Sequence, residues 1–440
     1  MTMPSIEDPR FQGLKRPELM AIGDSLYNGT QTLTTGPGLP ELSVPAQVAK
    51  ALGVAGFRLP AYPAPVLADI LKILDSAPRL PNPVAPLLPE FVANARQWLA
   101  RVPTPNLFTH DNIAVAQSTV GDIYQKKAGA QFAAISGLID QLNGGDLKSI
   151  PDLYYAINAS FILNPSRDSV FDGFTQLDWV AWRRPKRLLV SIGSNNGLFV
   201  ALLNARLADT QRRQLLGLPA EIELLAERLK PLTAGPDGIG KIYFNSLVRP
   251  RVVGNLCPYP EESIVQDDEG YFERYTGELA TERGAVDGAS IKEFDRFVFE
   301  INRQISEKLN KVLVDKVEMI DLCKVGDSYD SKHGVGERVE ANYKGSQIYI
   351  SNYPFDIFPI IHTYKRGGFF SLDHLHPSSV GYVAIANAVV ARIAQAEGRA
   401  RPPVIDFQPA VDADPMFRHR PQRLHEWMAL YDLFMTILGL

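Results

Sequence analysis

Apolar residues along this chain gather in two kinds of run. Short, nearly continuous ones lie at Glu18–Ile22, Asn112–Ala116, Arg187–Ile192, Ile242–Leu247 and Val317–Leu322. Runs of strand length without clean alternation predict a parallel sheet buried on both faces. Longer stretches repeat apolar positions at helical spacing, over Asn204–Leu229, Ile291–Val312 and Val380–Ala396. In the last of these Val380, Ala384, Ile385, Ala388, Val389 and Ile393 recur with a helical period. Strands alternating with helices predict an α/β domain of three layers, α/β/α, with right-handed crossovers. The whole chain, 1–440, reads as one such domain.

Two stretches interrupt the alternation. Residues 34–101 carry Pro60, Pro63, Pro65, Pro78, Pro81, Pro83, Pro86 and Pro89 around a short amphipathic helix at Val66–Leu74. Regular strands do not carry prolines at that density, so this is an insertion folded over the domain. Residues 325–370 are rich in Gly, Tyr and Ser and precede a histidine-bearing segment. Long irregular segments of this kind are often lids or binding loops. Its aromatics, Tyr353, Phe355, Phe358, Tyr364, Phe369 and Phe370, suggest an apolar acyl or aryl pocket, against a local core. A C-terminal extension, 400–440, ends in the apolar segment His425–Leu440. That segment is too short to span a bilayer and is expected to dock on the domain, with dimer or interfacial membrane contact as the sharper readings.

Composition narrows the classes. With 440 residues, 45% of them apolar and 21% charged, the chain has material for a real core, and global disorder is excluded. The net charge of −4 lacks the basic excess of a general nucleic-acid binder. The two cysteines, Cys257 and Cys323, form no CxxC spacing. No apolar run follows a basic start at the N-terminus and none reaches 18 residues, so a soluble, cytoplasmic protein without a transmembrane span is expected.

Ser25 directly follows the first strand in Ala21-Ile22-Gly23-Asp24-Ser25-Leu26. A serine there faces the crevice where open α/β sheets bind ligands; the plain alternative is a helix N-cap. Its hydroxyl needs a base, and the base an orienting acid. His376 stands in Ser371-Leu372-Asp373-His374-Leu375-His376-Pro377, before the last helical pattern. If that segment turns, Asp373 reaches Nδ1 and leaves Nε2 for the serine. A partial metal site of Asp373, His374 and His376 competes, but no supporting cluster of ligands follows it. The strand at Arg187–Ile192 ends in Gly193-Ser194-Asn195-Asn196-Gly197, where the Asn195 amide faces the same crevice. The strand at Asn112–Ala116 ends at Gln117-Ser118, where a backbone N–H offers a second donor to a developing oxyanion.

In this order of blocks the chain resembles the SGNH hydrolases, also called the GDSL esterase/lipase family. The opening block matches in Gly23-Asp24-Ser25-Leu26, the third in Gly193-Ser194-Asn195-Asn196, and the last in Asp373-His374-Leu375-His376-Pro377. The resemblance implies a flavodoxin-like three-layer fold with a parallel central sheet and large loop insertions. It implies Ser25 as nucleophile, His376 as base and Asp373 as its orienter. The implied oxyanion donors are the Ser25 N–H, a backbone N–H at Gln117 and the Asn195 side chain, with no metal or organic cofactor. Two positions depart from the pattern: Gln117 stands where the family carries glycine, with Gly121 as the next candidate, and Asn196 replaces an aspartate. The expected activity is hydrolysis of small-molecule or lipid carboxylic esters through an acyl-enzyme. An acyltransferase using the same site and a catalytically silent ligand-binding scaffold are the alternatives.

Overall fold

Four strands of the central sheet begin and end within two residues of the apolar runs: β1 Leu19–Gly23, β2 Arg187–Ser191, β3 Lys241–Asn245 and β4 Val317–Ile320. The structure, a computed structural model, describes residues 11, 14, 16–76, 87–104, 107–259, 265–277, 285–358 and 363–418. The strands pair in parallel in the order β1-β2-β3-β4, with Met20 beside Leu188, Leu188 beside Ile242 and Ile242 beside Val317. The chain is thus a mixed α/β fold built on a parallel sheet.

The fifth expected strand, Asn112–Ala116, is not a regular strand. It runs parallel along the free edge of β1, where only Asn112 bridges Ala21. Ile113 and Val115 donate to the carbonyls of Ala21 and Gly23 at 2.9 and 3.0 Å. Its outward groups are taken by side chains instead of a neighbouring strand. The Ala114 N–H goes to Asn112 Oδ1, and the Ala116 N–H to Asn158 Oδ1, both at 3.2 Å.

Successive strand residues point to opposite faces, and each face has its own core. Leu19, Ala21, Leu189, Tyr243 and Ile320 pack with Val44 and Val48 of helix Val44–Ala51 and with Tyr382, Ile385 and Val389 of helix Ser379–Ala396. Met20, Ile22, Leu188, Val190, Ile242 and Phe244 face the other way, toward helices Asp209–Leu229 and Gly288–Val312. Helix Ser379–Ala396 is, among the described residues, the one long and apolar enough to cross a membrane, and 67% of it is buried inside the fold. Its apolarity is that of a core helix.

Several elements differ from the pattern-based expectation. The helix expected at Val66–Leu74 runs Ile70–Ser76, because Asp69 Oδ1 accepts from the Lys72 N–H and starts it there. The helix expected from Asn204 starts at Asp209. The proline-rich insertion also holds helix Leu87–Ala100, and three further helices, Ala128–Asn143, Ile150–Leu163 and Gln176–Arg183, fill the connection to β2. Ten of the fourteen residues of Ile150–Leu163 are buried, so it has no polar face to betray a helical period. Within 325–370 the chain forms two antiparallel pairs, Val339–Tyr343 with Ser346–Ile350 and Asp356–Phe358 with Thr363–Arg366. The apolar segment His425–Leu440 lies outside the described residues.

Candidate active site

The end of β1 is shaped by a glycine that nothing else replaces. Gly23 has φ +139, and a Cβ there would run into the Ser191 carbonyl of β2. Gln176 grips this glycine on both sides, accepting from its N–H at 2.8 Å and donating to its carbonyl at 3.2 Å. The chain then turns into the short helix Ser25–Asn28, which Asp24 caps by accepting the Leu26 N–H at 3.1 Å. Ser25 is the first residue of this helix, whose leading N–H groups have no intrahelical acceptor.

The segment before the last helix folds around Asp373. Its Oδ1 accepts the N–H groups of Leu375 and His376 at 3.0 and 2.7 Å, and its Oδ2 lies 2.8 Å from His376 Nδ1. His374 takes φ +57 to close this turn. With Nδ1–H given to the carboxylate, Nε2 is left to accept, and it lies 2.9 Å from Ser25 Oγ, 351 residues away in sequence. Ser378 ends the turn by capping helix Ser379–Ala396 through the N–H groups of Val380 and Gly381. The structure therefore brings Ser25, His376 and Asp373 into one hydrogen-bonded chain.

Asn195 and Gln117 reach the same place. Both line, with Ser25 and His376, a cavity of about 230 Å³. The Asn195 amide donates one N–H to the Ser118 carbonyl at 2.9 Å, which fixes its plane and leaves the second proton of the NH₂ group for a ligand. Gln117 adopts φ +67, the left-handed conformation that glycine takes most cheaply. Gly121, the alternative donor in this block, caps the short helical turn Asp122–Gln125 instead. A second cavity, of about 90 Å³, also touches Ser25 and His376 but has neither Gln117 nor Asn195 in its wall.

The electrostatics separate the carboxyl groups. Burial pushes the Asp373 pKa up, but the imidazole and the N–H donors outweigh this and hold it below the usual carboxylate range. Asp24 has fewer donors. Burial raises its pKa to about 7, against opposing pulls from the Leu26 N–H and His376, and its Oδ2 is buried without a partner. His374 is held neutral, its pKa lowered by burial to about 4, and its Nδ1 has no partner. It lines neither cavity at Ser25. No group of three or more His, Cys, Asp or Glu side chains with metal-holding geometry occurs among the described residues.

Sequence reasoning missed three contributors. Gln176 ties the Ser118 hydroxyl to the end of β1, with Nε2 3.2 Å from Ser118 Oγ, and its only signal was the capping-box spacing of Thr175 and Asp178 around it. Leu33 donates its N–H to Asp373 Oδ2 at 2.9 Å from a loop with no recognisable motif. Part of the wall of the larger cavity comes from the proline-rich insertion, through Leu67, Ala68, Ile70 and Phe91, and none from the aromatics of 325–370. Of those, Phe369 and Phe370 line the smaller cavity, while Phe355 and Tyr364 pack with Phe417 in a local core. The side chain of Phe358 lies outside the described residues.

Gln117→Gly should leave the urea midpoint unchanged or raise it, because the glycine's roughly 0.5–1 kcal/mol entropic cost is offset by release from a left-handed backbone. Gln117→Val should lower stability by about 1 kcal/mol or more. Equal losses in both would mean that the glutamine side chain matters and its backbone conformation does not. Asp24→Asn keeps the capping oxygen and tests the buried carboxyl. An acid whose folded pKa, here about 7, exceeds its unfolded value binds its proton more tightly when folded, so stability falls as pH rises from 3.8 to about 7. The variant should therefore be more stable than wild type at pH 8, with the gap closing by pH 4 in paired denaturation curves. A gap independent of pH would sink this reading.

The chain matches no protein-family model, no curated protein and no solved structure.

Proposed function

We propose that the chain hydrolyses carboxylic esters through an acyl-enzyme on Ser25, on a three-layer, flavodoxin-like fold of the SGNH-hydrolase kind. The observation that carries the reading is the hydrogen-bonded chain from Ser25 Oγ through His376 to Asp373, at 2.9 and 2.8 Å, opening on an apolar cavity. The parallel sheet with separate cores on its two faces supports the fold.

In this reading Ser25 Oγ attacks the ester carbonyl carbon as its proton passes to His376 Nε2. Asp373, ionised and immobile, stabilises the imidazolium and holds the ring in register. The carbonyl oxygen becomes an oxyanion held by the Asn195 side chain and the N–H groups of Ser25 and Gln117. Collapse breaks the bond to the alcohol oxygen, which leaves with the proton from His376. Water then attacks the acyl-Ser25 ester, giving its proton to His376. The second collapse releases the carboxylic acid and returns that proton to Ser25.

Ser25→Ala should lose roughly 10⁶ of turnover if the three residues act as a unit, and should abolish the mass increment that an alkyl fluorophosphonate adds to wild type. Asn195→Ala should lower kcat by about 10²–10³ while labelling of Ser25 persists. Wild-type protein that neither hydrolyses any ester nor takes up the probe would refute the proposal.

A further inference from the structure

Two apolar cavities flank the Ser25–His376 pair, and they differ in the one respect that orients an ester. The larger holds Gln117 and Asn195 in its wall; the smaller holds neither. An ester carbonyl oxygen directed at those donors brings the carbonyl carbon to the mouth of the larger cavity, with the acyl chain and the alkoxy oxygen as its two other substituents. The alkoxy oxygen must meet His376 Nε2; His376 borders both cavities, but the smaller one also has its chain neighbours Leu375 and Pro377 in the wall, which places the leaving alcohol on that side. Of the three proposed oxyanion donors, only Ser25 borders that second cavity.

From this asymmetry we infer that the two cavities divide the substrate: the 230 Å³ cavity takes the acyl chain and the 90 Å³ cavity takes the alcohol. The assignment rests on the serine-hydrolase reading above. Size then sets the substrate class. An apolar cavity of about 150 Å³ holds a six-carbon ring, or about 25 Å³ per carbon. On that scale the acyl cavity takes about nine carbons and the alcohol cavity about three or four. The walls fit such chains. Leu67, Ala68, Ile70, Phe91 and Ile150 are apolar, and the Tyr154 hydroxyl is occupied by Thr35 Oγ1 at 2.5 Å. The alcohol side is bounded by Leu202, Val248, Val325, Phe369 and Phe370. The substrate is a medium-chain acyl ester of a small apolar alcohol, and the proline-rich insertion is the element that measures the acyl chain.

The test is two ester series on the full chain, one varying the acid from acetate to palmitate on a fixed alcohol, the other varying the alcohol from methanol to octanol on a fixed acid. Each buried methylene contributes about 0.8 kcal/mol, so kcat/KM should climb about fourfold per carbon to an acyl length of eight to ten, then level or fall. The alcohol series should peak at about three or four carbons. Ala68→Phe should cut the octanoate-to-acetate ratio tenfold or more and leave the alcohol series in its original shape; Leu67→Phe provides the same test if Ala68→Phe does not fold. Val325→Trp should do the converse. A flat acyl profile, or an Ala68→Phe effect confined to the alcohol series, overturns the assignment while acetate turnover and fluorophosphonate labelling keep the parent reading alive. No hydrolysis of any ester and no labelling would instead end both.

Discussion

A carboxylate without solvent must find its hydrogen bonds inside the protein, and Asp373 is fully buried. It accepts four: the N–H groups of Leu375 and His376, the His376 Nδ1–H, and the N–H of Leu33. Two of these fold the turn that carries the histidine. The third orients the ring. The fourth comes from the loop that follows Ser25, so the two halves of the site are fastened to one charge. Separating them would strand a buried carboxylate, a loss of about 3–5 kcal/mol for a partnered buried charge. The distance between Ser25 and His376 is thus set less by those two residues than by the carboxylate behind them.

The loop that meets Asp373 is strained. Thr32 and Leu33 have φ +52 and +53, and Gln31 and Thr34 close the turn by donating to each other's carbonyl oxygens at 3.0 and 2.8 Å. Two-residue turns with both central residues left-handed favour Asn-Gly, and a β-branched threonine is a costly choice there. Here the Thr32 N–H is taken by Ser371 Oγ at 2.8 Å and the Leu33 N–H by Asp373, which hold the turn in place. Leu33 is thereby pressed into the wall of the larger cavity. Leu33 and Gln117, both left-handed and neither glycine, line the same pocket, the kind of clustering expected where surrounding structure over-determines the backbone.

Much of the frame was legible because buried parallel strands leave continuous apolar runs, and β1 to β4 fall where those runs are. The site segments were legible for a different reason: Ser25, Asn195, Asp373 and His376 sit in short motifs at strand ends and before a helix, where small and turn-forming residues stand out from apolar neighbours. Two helices in the connection between β1 and β2 were illegible because their faces differ too little in polarity. Ile150–Leu163, apolar on nearly every side, shows no period, and Ala128–Asn143 is built of small residues with a low contrast between faces. Asn112–Ala116 read as a strand because its apolar run is real, but it pairs on one side only. The cavity walls were beyond sequence reasoning, since they depend on where a proline-rich insertion lands.

The two positions that depart from the resembled pattern each have a local physical explanation, and the explanations interlock. Asn196 donates to Glu221 Oε2 at 2.9 Å and accepts from the Val120 N–H at 3.2 Å. An aspartate at 196 would set two carboxylates in contact, and burial already pushes the Glu221 pKa up. The amide is the side chain that satisfies both neighbours. Its predecessor, Asn195, donates to the Ser118 carbonyl. Two consecutive asparagines after β2 therefore hold the Gln117–Val120 loop at Ser118 and Val120, and Gln176 ties the Ser118 hydroxyl in that loop to the end of β1. Under that restraint the left-handed backbone of Gln117 is imposed by its surroundings, which is why a glutamine can occupy a place that glycine would fill at lower cost. What the geometry requires at 117 is a backbone conformation, and at 196 a donor and an acceptor on one side chain; neither requirement fixes the residue type that the motif would suggest.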